Sequence, residues 1–477
     1  MNIHQILSTA SQLHEARQLR QAESLYRQAL TIQPNHPYPL HMLGLIAQQK
    51  GELAAALGLM KQSVTIAPNN PDFHYNLATT YMAMKAPQRA AEHCQICLRL
   101  RPGYPQALLT LGNIALQEKN WADAARCYRA AVSSDPNFGP GWVNLGWATH
   151  KTGDFAAALD ACRRGVQILP DSEEAHTNLA VTLLMRGDLA GGIAEYEWYR
   201  RSPSYSGPKP LSQTLWDGVS RVERLLVRHE QGAGDTIQFS RFLPLLAGRV
   251  GKIYFQVPSL LWELMSTLDI EMQLLERNDP LPEFDAHAYL MSLPRLLGTT
   301  MESLPFGGGY LKADSKKTDE WKARLPEDGR LKVGLAWAGN PQQPHDGLRS
   351  IPAELLAPLG ALPCHFVSLQ VGARSQPLPF PMIDFTSQIG DFADTAALID
   401  SLDLVISVCT STAHLAGALG KPVWVLLQEI PDWRWLANRE DSPWYQSARL
   451  FRQSSPNDWP SAVAKVADAL AKHATVV

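Results

Sequence analysis

Cysteine is scarce in this chain: six in 477 residues, at Cys94, Cys97, Cys127, Cys162, Cys364 and Cys409. That is too few for a disulfide framework and points to a reducing compartment. Neither sign of charge dominates, with 43 Lys+Arg against 46 Asp+Glu. The balance speaks against a general nucleic-acid binder and against electrostatic attachment to a membrane. Long apolar runs are missing too. The nearest approach, residues 404–427, is broken by His414, Gly420, Lys421 and Pro422, and its apolar pieces are strand-sized. Residues 1–23 hold no apolar signal core and no small-residue cleavage site. The expectation is a cytoplasmic protein with no membrane span and no nucleic-acid partner. No P-loop is present, and the start of a dinucleotide fingerprint at Gly232 and Gly234 fails at Ile237.

What is present first is a repeat. Prolines fall at Pro34, Pro68, Pro102, Pro136 and Pro170, each 34 residues after the last. Leucines keep the same period at Leu43, Leu77, Leu111, Leu145 and Leu179, each followed by a glycine or alanine. A second small position runs through Ala22, Ala56, Ala90, Ala124, Ala158 and Gly192. This pattern resembles the tetratricopeptide repeat, a helical hairpin of 34 residues. Small residues let the two helices of a hairpin pack closely, and proline ends the second of them. About six repeats are expected over residues 1–204, an all-α superhelix. In the family its concave groove binds protein or peptide, with Tyr75, Trp142, Asn144 and Asn178 on the groove-forming helices. The Cys94–Cys97 pair lacks a second pair or nearby paired histidines and reads as helix packing.

A Pro/Ser-rich linker follows, placed at 205–220, and the 3.6-residue pattern gives way to short apolar strands alternating with helices. An N-terminal Rossmann-like lobe is expected at 221–320, with a strand at 224–229, a glycine loop at 230–235 and a helix at 236–246. A second such lobe is expected at 321–477, with strands at 332–337, 366–369, 404–408 and 423–427.

Five segments carry a further resemblance. They are Glu230-Gln-Gly-Ala-Gly-Asp-Thr-Ile-Gln-Phe239, Gly334-Leu-Ala-Trp-Ala-Gly-Asn340 with Arg349-Ser-Ile-Pro352, and Gly390-Asp-Phe-Ala-Asp-Thr395. His414-Leu-Ala-Gly-Ala-Leu-Gly420 and Pro431-Asp-Trp-Arg-Trp435 complete the set. Together they resemble the heptosyltransferase-like glycosyltransferases of family 9. The resemblance implies a GT-B fold, two Rossmann-like lobes facing a cleft. It also implies metal-independent inverting transfer from a nucleotide-sugar, which is the donor substrate, with no cofactor. Asp235 matches the catalytic base. Arg349, Cys409, Thr410, Ser411, Thr412 and His414 match donor-binding positions. Gln231, Gly234, Gln238, Asn340, Asp391, Trp433 and Arg434 are further cleft candidates.

The chemistry fits those residue types. An Asp ionised at neutral pH can accept the acceptor's proton, and a helix start at Ser411 can stabilise a departing diphosphate. Asp235 can equally serve as a helix cap. Two departures stand out: Cys409 replaces the family's aspartate, and Pro344-His-Asp-Gly-Leu348 matches the family's polar run only in part. The expected function is a soluble glycosyltransferase whose repeats recruit the acceptor. The rival is a tetratricopeptide interaction scaffold carrying a degenerate transferase domain.

Overall fold

The computed structural model describes residues 2–342, 346–372 and 377–474. It comprises two compact units, Met1–Asn178 and Leu179–Val477.

The first unit is a row of helical hairpins, beginning with Ile3–Glu15 and Leu19–Ile32. The expected period is visible in its packing. A Cβ on Gly44, Gly112 or Gly146 would fall 2.7, 2.3 or 2.5 Å from Met60, Tyr128 or Cys162 on the partner helix of the same hairpin. Ala22, Ala56, Ala90, Ala124 and Ala158 are fully buried. Each period proline from Pro34 to Pro170 lies two residues past the end of a second helix. The turn between the two helices of a hairpin needs a left-handed residue. Gly51 and Gly153 supply it, and so do Arg17, Lys85 and Lys119, at φ between 57° and 58°. Left-handed backbone strains a residue with a Cβ, so these turns are held by the hydrogen bonds around them. One such bond is Ala86 N–H to the Tyr81 carbonyl, at 2.9 Å.

The groove candidates are engaged within the unit. Asn144 donates to Asn113 at 3.3 Å, Asn178 to the Val143 carbonyl at 3.3 Å, and the Trp142 indole to the Pro136 carbonyl at 2.9 Å. Tyr75 packs on Tyr104. Cys94 and Cys97 are fully buried, and burial pushes their thiols up to about 12 and about 11. They are packing residues, as their spacing suggested.

The division between the units falls inside the helix Glu173–Met185, ahead of the Pro/Ser segment where the array was expected to end. The cause lies in the second unit. The 3-10 turn Glu197–Arg201, which continues the helix Leu189–Tyr196, is tied by ion pairs to the lobe that follows. Arg200 pairs with Glu230 through two hydrogen bonds of 2.8 and 3.0 Å, and Arg295 with Glu197 at 2.8 Å. The Pro/Ser segment also lies on that lobe. Arg228 donates to the Lys209 carbonyl at 2.6 Å, and Arg277 to the Ser206 carbonyl at 2.9 Å.

Two parallel sheets follow. β1 (Val222–Arg228), β2 (Val250–Gln256), β3 (Gln273–Leu275) and β4 (Ala286–Tyr289) lie in the order β3-β2-β1-β4. β5 (Leu331–Ala336), β6 (Cys364–Ser368), β7 (Leu404–Val408), β8 (Val423–Leu427) and β9 (Ala448–Arg452) lie in the order β6-β5-β7-β8-β9. All their ladders are parallel. Fully buried runs in β7 and β8 explain the apolar stretch at 404–427: both strand faces are covered. The C-terminal helix Trp459–Ala474 buries Trp459, Val463, Val466 and Leu470 in the core that holds Leu335, Ile406 and Trp424.

One element differs in detail from the sequence expectation. The helix after β1 runs Ala233–Ser240 and gives way to a 3-10 turn at Leu243–Leu246. It starts inside the glycine loop, so Asp235 sits in its first turn and is not its cap residue; Gly232 is.

Candidate active site

In open parallel sheets, ligands bind beyond the carboxyl ends of the strands. The loop from β1 and the loop from β7 both lead into helices of eight residues, Ala233–Ser240 and Ser411–Ala418. The starts of these helices meet. A Cβ on Gly234 would lie 3.2 Å from the His414 ring and 3.3 Å from Ser411 Cα, so a side chain there would press on both. Two positive helix ends from two lobes thus converge on one place.

Asp235 stands at that meeting. Its Oδ2 accepts the Gly232 N–H at 3.0 Å, the one half of a capping box that a glycine cap allows, and its Oδ1 accepts from Arg434 at 2.5 Å. Arg434 belongs to the second lobe, in the turn Trp433–Trp435 after β8. Its guanidinium also donates to Gln238 Oε1 at 2.8 Å and Asp432 at 2.9 Å, and lies 4.3 Å over the Trp433 ring. Burial pulls the Asp432 carboxyl upward, but the charge and hydrogen bonds of Arg434 outweigh it and hold it below the usual carboxylate range. Arg434 itself is 7% exposed. Burial works against its charge, yet Asp432, Asp235 and Tyr196 raise its pKa further above the ordinary arginine value.

Arg349 lies beside the other helix start. It donates to the Cys409 carbonyl at 3.0 Å and pairs with the buried Asp346 at 3.0 Å. Asp346 also accepts from the Ser350 hydroxyl, which fixes it. Thr410 caps the helix Ser411–Ala418 through its backbone only; its side chain makes no cap bond and lies 3.1 Å from the Ser407 hydroxyl. Thr410, Ser411 and Thr412 are half-buried.

Other expected site residues turn inward. His414 is buried, bonds the Tyr445 hydroxyl at 3.0 Å and stacks on Trp435. Cys409 accepts the Trp435 indole N–H at 3.0 Å on its sulfur, and burial pushes its thiol up to about 11. The thiol is therefore neutral and held by packing. Trp433, expected at the cleft edge, is 3% exposed and packs on Phe239 and Trp444. Its ring packs at the contact between the lobes. Gln238 is fully buried as the partner of Arg434. Asn340 is exposed and accepts the Gln342 N–H, while Asp391 caps the helix Phe392–Asp400. Of the partial match at 344–348, Pro344 and His345 lie outside the described residues.

Sequence reasoning missed Asp346, Asp432 and Tyr196. The first two lie inside segments already singled out, and each sits two or three residues from the arginine it holds. Tyr196 carries no such signal, because it falls in the repeat pattern. Its hydroxyl accepts from Gln231 at 2.9 Å, at the start of the glycine loop.

Burial of neutral histidines sets an acid limit on the fold. Burial pushes His414 down to about 3 and His229 to about 4, with nearby arginines adding to both. Each binds a proton less readily when folded, so the stability that its burial permits is full above pH 6.5 and is lost as pH falls toward the folded value. The expected loss is about 2 kcal/mol per histidine between pH 7 and pH 5. Unfolding midpoints measured across that range should fall steeply, and His414→Gln should flatten the slope. A midpoint that stays level to pH 5 would contradict the assignment.

Residues 47–95 and 109–173 each match a family model of the tetratricopeptide repeat. FlbA of Caulobacter vibrioides is 24% identical over a 509-residue alignment that covers 90% of this chain and 83% of that protein. The human protein O-mannosyl-transferase TMTC1 is 26% identical over 165 residues, 34% of this chain and 19% of its own length. The solved structure of Pseudomonas aeruginosa PilF is 15% identical and superposes with a TM-score of 0.40, over 42% of this chain and 92% of that one. The N-terminal region carries tetratricopeptide repeats, and an α/β region with two parallel sheets follows it. Repeats of this kind suggest protein–protein interaction. Among the described residues, no helix is long and apolar enough to cross a membrane.

Proposed function

We propose that the second unit is a GT-B type inverting glycosyltransferase of the heptosyltransferase-like kind, acting on an acceptor recruited by the repeats. Asp235 takes the proton of the acceptor hydroxyl as its oxygen attacks the anomeric carbon. The bond from that carbon to the nucleoside phosphate breaks, and the departing phosphate carries the extra charge. The helix starts at Ala233 and Ser411 and the Arg349 guanidinium stabilise it without a metal, in keeping with the family resemblance. One observation supports this above the rest: two helix starts from two lobes converge on the carboxylate that the resemblance assigns as base. The partial likeness to a protein O-mannosyl-transferase agrees with a transferase reading and assigns no residue.

The scaffold reading has one observation of its own. Both oxygens of Asp235 are engaged, one by Arg434 and one by the Gly232 N–H. Such engagement suits a structural carboxylate that joins the lobes as well as it suits a base.

A thermal-shift panel of nucleoside diphosphates and nucleotide-sugars separates the two. At a hundredfold excess over Kd, a ligand of the folded state adds about 2.7 kcal/mol. The melting transition of the second unit should rise with at least one nucleotide-sugar, and Arg349→Ala should remove most of the rise. No shift with any of them would leave the scaffold.

A further inference from the structure

The helix Leu189–Tyr196 ends the repeat pattern, yet it lies in the same compact unit as both sheets. It packs mainly on the segment Leu290–Leu296, and its last residue together with the 3-10 turn also reaches the two residues opening the glycine loop. Glu230 is 7% exposed and takes both carboxylate bonds from Arg200. Arg200 is held in turn: it lies 3.9 Å over the Tyr289 ring at the end of β4 and donates to the Ser292 hydroxyl at 2.8 Å. Ser292 donates onward to Glu197 at 2.7 Å, and Arg295 closes the chain on Glu197. The next residue, Gln231, donates its side-chain amide to the Tyr196 hydroxyl. Tyr196, Arg200, Glu230, Gln231 and Met291 line a cavity of about 10 Å³, room for about one water.

Asp235 follows Gln231 by four residues, and its carboxylate is bonded back to the Gly232 N–H. The position of the carboxylate is set by the loop, and the loop is set at its first two residues by the last repeat helix and its 3-10 turn. We infer that Tyr196 is a positioning residue of the transferase site, acting through Gln231 to fix the glycine loop that carries Asp235. The inference rests on the reading of Asp235 as the base. It makes the end of the helix Leu189–Tyr196 a working part of the site, with Tyr196 reaching the loop through one side-chain hydrogen bond beside the Arg200–Glu230 pair.

The test uses the full chain with Tyr196→Phe, Gln231→Leu and the pair together. Phe keeps the ring and its packing and removes only the hydroxyl. Two quantities are read: amide hydrogen exchange over residues 232–236, without substrate, and kcat against KM for sugar transfer. Each single variant should speed exchange of the loop about tenfold and lower kcat about tenfold, within the range that small misplacements of a reacting group produce. KM for the nucleotide-sugar should stay within about twofold, and the melting temperature should fall by no more than the few degrees that one lost hydrogen bond costs. The double variant should be no worse than either single one, since both remove the same bond. Unchanged loop exchange would overturn the inference, even in a preparation with no measurable turnover. So would faster exchange with unchanged kcat, or a fall in kcat that merely follows a fall in melting temperature. Asp235→Asn, assayed alongside, is the separate control: full activity there removes the base reading and leaves the exchange result standing on its own.

Discussion

Asp235→Asn is expected to lower sugar transfer by about 10²–10⁴-fold, the usual contribution of a positioned general base. The substitution keeps the size of the side chain and removes the carboxylate that accepts the proton. Its structural cost is modest. Asn can still accept from Arg434 with its one oxygen, but its amide then faces the Gly232 N–H, and the capping bond is lost. A lost bond of that kind costs about 1 kcal/mol. Arg434 is not orphaned, because Asp432 remains 2.9 Å away. Affinity for the bare nucleoside diphosphate should hold or rise slightly, as one negative charge leaves a place where phosphate is proposed to lie. Turnover above about a tenth of the wild-type rate would remove Asp235 as the base.

The array was legible because its chemistry repeats. Close helix packing demands a small residue at a fixed phase, and six coincidences at 34-residue spacing expose it. Lys85 and Lys119 break the glycine pattern in the turns, yet the backbone is left-handed there all the same. The hairpin geometry, not the residue, fixes those turns. The two parallel sheets were legible as strand-sized apolar runs. The start of the helix after β1 was misplaced because Gly232 and Gly234 read as loop. Gly234 is there for the approach of Ser411 and His414, a long-range cause that leaves no local trace. The same holds for the tryptophans. Trp433, Trp435 and Trp444 cluster in sequence in the manner of a cleft edge, and the structure buries all three at the join between the lobes. The site was half legible. Asp235, Arg349 and the helix start at Ser411 came from motifs, whereas the Arg434–Asp235 pair joins residues about 200 apart. Tyr196 was hidden by the repeat to which it belongs.

Arg434→Gln is expected to cost the second unit about 2–3 kcal/mol at pH 7. Arg434 serves three acceptors at once: Asp235 and Gln238 in the first lobe and Asp432 in its own. Glutamine cannot reach all three and carries no charge, so two carboxylates lose their cation. Breaking a fully buried pair costs about 3–5 kcal/mol. The figure here is lower because the Asp235 and Asp432 side chains keep 21% and 39% of their surface in water. The pH dependence tells this cause apart from lost packing against Trp433. In the wild type, Arg434 holds Asp432 below its ordinary value, so that contribution is full above the unfolded carboxylate pKa and is lost as pH falls from there through the lower folded value. In the variant, the Asp432 carboxyl loses the cation that outweighs its burial, so protonation relieves it and acid helps the variant relative to the wild type. The stability difference between the two should narrow as pH drops from 7 toward 4, read by denaturant unfolding at each pH. Arg434→Lys should fall between them, since a point charge satisfies one carboxylate and cannot bridge both lobes. A difference of the same size at every pH would mean that Arg434 holds the lobes by packing, and its link to Asp235 would lose its electrostatic meaning.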